Sequence, residues 1–159
     1  MKLLKGATDL VIAIQKAIQK YTHLDVNVEI CDSFLWADNE NTLFFPLLMI
    51  EKSDALWKEW LEDTFEIEFS CLADIYYFSF LHELGHKMTL SDVTDDEYDE
   101  GDELSCGTDY VAYWNCYREY IATKWAVDFC LAHQKEMELF AKEVFKNLEK
   151  FYEKNEIAY

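Results

Sequence analysis

His82-Glu83-Leu84-Gly85-His86 places two imidazoles four residues apart, with a carboxylate directly after the first. Four residues is about one helical turn, so on a helix both rings stand on one face. There they can bind a single tetrahedral zinc ion through ring nitrogens. Glu83 is then aimed beside the metal, where a bound water would lie. Zinc lowers the pKa of such a water, and a carboxylate within reach can take its proton. This HExxH pattern predicts metal-assisted hydrolysis, with His82 and His86 as metal ligands, Glu83 as general base and Zn2+ as the cofactor. The bland alternative is a helix with two incidental histidines. Against it, two of the chain's four histidines lie in the motif, and the preceding run from Leu72 to Leu81 is apolar enough to bury the helix.

A catalytic zinc site takes three protein ligands and keeps one position open. The third must come from elsewhere, and the strongest candidate is Glu119 in Tyr117-Arg118-Glu119-Tyr120-Ile121-Ala122-Thr123-Lys124-Trp125-Ala126. Ala112, Asn115, Cys116, Ala122, Thr123 and Ala126 fall on the same helical face. Small residues there would let this helix approach the motif helix, and an inward carboxylate among them needs a partner. Spacing alone equally admits a surface glutamate, or one paired with Arg118. Cys116, about one turn before Glu119, is the reserve candidate.

The HExxH segment followed by Glu119-x-x-Ala122-Thr123-x-Trp125-Ala126 resembles the ImmA/IrrE family of metallopeptidases, in its small phage and mobile-element form. That family pairs an HExxH helix with a downstream helix whose glutamate completes the zinc site. The resemblance implies that His82, His86 and Glu119 hold zinc and that Glu83 is the general base. It implies a compact, mostly helical fold with a small sheet, and a protein or peptide substrate cleaved at a peptide bond. Family members often carry or neighbour a helix-turn-helix module. This chain departs from that pattern, and its charge argues against DNA binding.

Other constellations carry less. Asp92, Asp95, Asp96, Glu97, Asp99, Glu100, Asp102 and Glu103 crowd around Gly101. Such a run reads first as a solvated, self-repelling loop. As a lid or docking surface it would favour a basic substrate. It does not meet the EF-hand pattern. Cys130-Leu131-Ala132-His133 has ligand-like spacing without a fourth partner, so ordinary buried thiols are expected. An oxyanion donor is also needed, and the spacing does not choose among the 10 tyrosines, of which Tyr110, Tyr113, Tyr117 and Tyr120 surround the third-ligand segment. No nucleophilic triad, Gly-rich phosphate loop or basic aromatic patch is evident.

The 159 residues suggest one zincin-like domain, and a composition 51% hydrophobic and 16% aromatic suggests a well-filled core. The net charge of −18 should repel nucleic acid and anionic membranes. It also supports a reading of another class: an acidic protein-binding module on a zincin-like scaffold, docking a basic partner or mimicking the charge of nucleic acid. Five cysteines without a CxxC pair, no evident secretory signal, and no apolar run near the length of about 20 residues that spans a bilayer together predict a cytoplasmic chain with free thiols. Oligomeric state is not set by any of these features.

One proline and four glycines favour long helices. Helices are expected over 3–21, 53–64 (capped by Ser53), 70–88 (capped by Ser70), from Ser105 or Thr108 to about Cys130, and over 134–154, either separate or continuous with the one before. Residues 26–30 alternate as a strand, residues 38–41 form a turn, and 42–50 could form another strand that Pro46 ends or pushes to an edge. Residues 91–107 read as a loop. The expected class is α+β, mostly helical, with a small two- or three-stranded sheet near the N-terminal half.

Overall fold

A computed structural model describes residues 4–47, 52–70 and 72–158, without the side chains of residues 52, 53, 72 and 73. The chain is mostly helical α+β, as the sequence suggests. Its elements group into two compact units, Met1–Met49 with His133–Tyr159, and Ile50–Ala132.

In the first unit, α1 (Ala7–Thr22) buries Leu10, Ile14, Ala17 and Ile18 along one stripe. It packs on α7 (Gln134–Asn155), which buries Phe140, Val144, Leu148, Phe151 and Tyr152 at matching helical spacing. Three strands follow α1: β1 (Asn27–Ile30), β2 (Leu35–Ala37) and β3 (Thr42–Phe45). The order is β1-β3-β2, with β1 parallel and β2 antiparallel to β3. β3 is thus the central strand, and Pro46 ends it rather than marking an edge. Proline has no N–H to give to a neighbouring strand. The turn at 38–41 is a single 3₁₀ turn closed by Asn41 in the left-handed region.

The second unit is all helical: α2 (Lys52–Phe65), α3 (Leu72–Thr89), α4 (Asp95–Ser105), α5 (Tyr110–Asn115) and α6 (Tyr117–Ala132). α3 carries the motif. It is apolar nearly all round, burying Ile75, Tyr76, Phe78, Phe80, Leu81 and Leu84, as befits the central helix of a small bundle. The cap expected at Ser53 lies outside the described side chains. Ser70 stands two residues before α3, and the residue between lies outside the described ones.

Two expectations fail. Residues 91–107 are not a loop: a 3₁₀ turn at Leu90–Asp92 leads into α4. The physical reason is a capping box. Thr94 Oγ1 accepts the Glu97 N–H at 3.3 Å, and Glu97 Oε2 accepts the Thr94 N–H at 2.9 Å. Asp95, Asp96 and Glu97 also meet the positive end of the helix dipole. The long helix expected to end near Cys130 is broken in two. Asp109, not Ser105 or Thr108, caps α5 by accepting the Ala112 N–H at 2.9 Å. Cys116 is extended, with φ −63° and ψ 149°, and separates α5 from α6. His133 separates α6 from α7. Among the described residues, no helix is long and apolar enough to cross a membrane.

α3 and α6 approach until backbone meets backbone. A Cβ placed on Gly85 would lie 2.2 Å from the Ala122 carbonyl oxygen and 2.9 Å from its carbon. Gly85 therefore gives up about 1 kcal/mol of helix propensity to allow this contact. We expect Gly85→Ala to lower stability by about 3 kcal/mol, at the upper end of overpacking losses. Thermal denaturation of the purified variant measures it, and a melting temperature equal to the parent's would contradict the close approach.

Candidate metal centre

The contact at Gly85 and Ala122 brings the motif face of α3 onto the first turn of α6. Cys116, acting as cap residue, accepts the Tyr120 N–H through its carbonyl at 2.9 Å, and its sulfur is hydrogen-bonded to the Glu119 backbone. This places Glu119 in the first turn of α6, where the helix dipole favours a carboxylate. Glu119 is 3% exposed. Its Oε2 lies 3.1 Å from His82 Nε2 and 3.2 Å from His86 Nε2. Among the described residues, these three form the one group of imidazole, thiol and carboxylate side chains that could hold a metal ion, with ligand atoms within 4.8 Å of one another.

The hydrogen bonds behind the rings decide what the ring nitrogens offer. Thr123 Oγ1 donates its only proton to the Glu119 carbonyl at 2.9 Å. Its 3.0 Å contact with His82 Nδ1 must therefore run the other way, with Nδ1–H donating to Oγ1. A neutral His82 then turns the lone pair of Nε2 toward the carboxylate oxygen, acceptor facing acceptor. A cation between them resolves the conflict, either a proton on the ring or a metal ion. The 3.1 and 3.2 Å separations admit either one. Bonds of about 2.0–2.1 Å in a tetrahedron put neighbouring ligand atoms about 3.3 Å apart. Such an outward hydrogen bond from a ligating histidine also fixes its tautomer and orientation.

The remaining partners fix Glu119. Its Oε1 accepts from Tyr113 O–H at 2.9 Å and from Arg118 Nε–H at 3.1 Å. Glu119 is thus no surface glutamate, and the other two readings left open by spacing meet in it: it pairs with Arg118 and faces the imidazoles. Burial alone would raise its pKa. The charge of His86 and the hydrogen bonds of both histidines outweigh burial and hold it well below the usual carboxylate range. Tyr113 is pushed up, first by burial and then by the neighbouring carboxylates of Glu119 and Glu83, so its O–H stays a donor. Glu83, next to His82 in α3, is itself 7% exposed.

Around the rings, Trp57 sits edge-on to His82 with centroids 5.4 Å apart. The two motif rings are perpendicular at 4.8 Å. Cys116 does not join the ligand group; burial raises its pKa and keeps it a thiol. Burial likewise pushes Cys130 up to about 12, and neither it nor His133 joins a ligand group. Thr123 and Tyr113 were not singled out by sequence as partners of the site. Thr123 had a signal, standing four residues after Glu119 on one face. Tyr113 was one of four tyrosines around the Glu119 segment among which spacing does not choose, because the break at Cys116 decides where it points.

Compared with protein-family models, curated proteins and solved structures, the chain matches none.

Thr123→Val keeps the shape of the side chain and removes the acceptor for His82 Nδ1–H. We expect metal affinity to fall about tenfold, the lower end of losses for such outer partners. Competition against a chromogenic chelator reads it, and an unchanged affinity would sever Thr123 from the site.

Proposed function

We propose that the chain is a zinc-dependent peptidase of the HExxH type, akin to the ImmA/IrrE metallopeptidases its motifs resemble. The observation that carries this reading is the convergence of His82 Nε2, His86 Nε2 and Glu119 Oε2 beside a buried Glu83. Two imidazoles and one carboxylate form a three-ligand set suited to catalytic zinc, which leaves a further position for water or substrate. When bound, the ion would supply Lewis acidity toward a water and a substrate carbonyl.

The chain's own residues would do the rest. Glu83 takes a proton from the attacking water as its oxygen bonds to the scissile carbonyl carbon. It then delivers that proton to the leaving amine nitrogen as the carbon–nitrogen bond breaks. Tyr113, kept protonated, gives its one O–H to Glu119 Oε1 and so orients the third ligand. The exposed acids of α4, among them Asp95, Asp96, Asp99, Glu100 and Glu103, create a field that favours basic substrate segments.

Two variants test the reading. Glu83→Gln should retain metal, measured by mass spectrometry, and lose at least about a hundredfold in cleavage of a peptide library. Equal turnover would remove Glu83 from the chemistry. Glu119→Ala should lose bound zinc, and undiminished zinc content would mean that another residue completes the site.

A further inference from the structure

The contacts of Glu119 do not stop at the site. They continue outward through Arg118 to the acidic helix α4. Arg118 Nη1 donates to Asp102 Oδ1 at 2.6 Å and to the Tyr98 carbonyl at 3.2 Å. Its Cζ lies 4.8 Å from the centre of the Tyr98 ring. A Cβ on Gly101 would come within 2.6 Å of both Cζ and Nε. Tyr98, Gly101 and Asp102 share one face of α4, at i, i+3 and i+4, and together they box the guanidinium. The Arg118 side chain is 10% exposed and that of Glu119 4%, whereas that of Asp102 is 62% exposed. The outer end of this chain of contacts is therefore accessible to substitution without opening the core.

An unrestrained guanidinium beside a metal ligand would harm the site in two ways. Its fork can grip both oxygens of a carboxylate, which would draw Oε2 away from the imidazoles. Its positive charge also opposes a second cation nearby. Asp102 counters both. It fixes Nη1, and with it the plane of the group, so that Nε–H alone meets Glu119 Oε1. It also neutralises the arginine.

We propose that Asp102 is a positioning residue for the metal site, acting through Arg118 to keep Glu119 a one-oxygen ligand. This rests on the reading of His82, His86 and Glu119 as metal ligands. It also gives Gly101 a purpose, since a glycine inside a helix costs about 1 kcal/mol against alanine and here clears room for the arginine.

The test uses the full chain with zinc and, for spectroscopy, cobalt(II). Asp102→Asn should weaken zinc binding about tenfold in chelator competition. It should also change the visible spectrum of the bound cobalt, because a Glu119 gripped by Arg118 through both oxygens gives up its place on the ion. Asp99→Asn removes the same unit of charge from an exposed position on α4 that does not touch Arg118. It should leave affinity within about twofold of the parent, since exposed charges are screened, and the cobalt spectrum unchanged. Gly101→Ala, which displaces the guanidinium, should reproduce the Asp102→Asn spectrum. Equal effects of Asp102→Asn and Asp99→Asn would reduce α4 to a diffuse field and overturn the proposal. So would a weakened Asp102→Asn protein with the parent's cobalt spectrum. A folded parent that takes up neither ion would instead sink the metal-site reading itself, and the role of Asp102 with it.

Discussion

A carboxylate buried between two imidazoles is the constraint on which the second unit of this protein depends. Removing the Glu119 charge from water is costly, and the cost is offset only if every lone pair finds a partner. The structure supplies a tyrosine hydroxyl and an arginine at Oε1, and at Oε2 two ring nitrogens that a shared cation would join to it. Two of these partners are in turn held by something else. His82 leans on Thr123, and Arg118 leans on Asp102 and the Tyr98 carbonyl. Taking away one member exposes the next, so the group behaves as a network rather than as separate pairs.

That network requires two helices to lie closer than side chains usually allow. Gly85 and Ala122 make this possible, because the absence of one Cβ lets the backbones touch. It also requires α6 to start where it does. Were the helix continuous through Cys116, Glu119 would lie in its interior, without the dipole of a first turn. The extended backbone at Cys116 and the separate cap at Asp109 are thus part of the site's construction, although neither residue belongs to the ligand group.

Much of this was legible in the chain. The apolar run before the motif, the small residues flanking Glu119 and the period of the terminal helix each express a single local pattern, and each element formed. The acidic stretch was misread because its charge density dominated. The Thr94-to-Glu97 capping signal is present in the sequence and was not read. The break at Cys116 carried no such warning. A cysteine between asparagine and tyrosine is no recognised helix stop.

The sequence by itself determined the chemistry on offer. Helical periodicity puts His82 and His86 on one face and Glu83 beside them, since one turn is a property of the local backbone. Tertiary structure alone decided which carboxylate meets those rings, which nitrogen of His82 holds a proton, and that Arg118 reaches back to Asp102. Those outcomes depend on where two helices cross and on which buried polar groups remain to be satisfied, and no spacing along the chain records either.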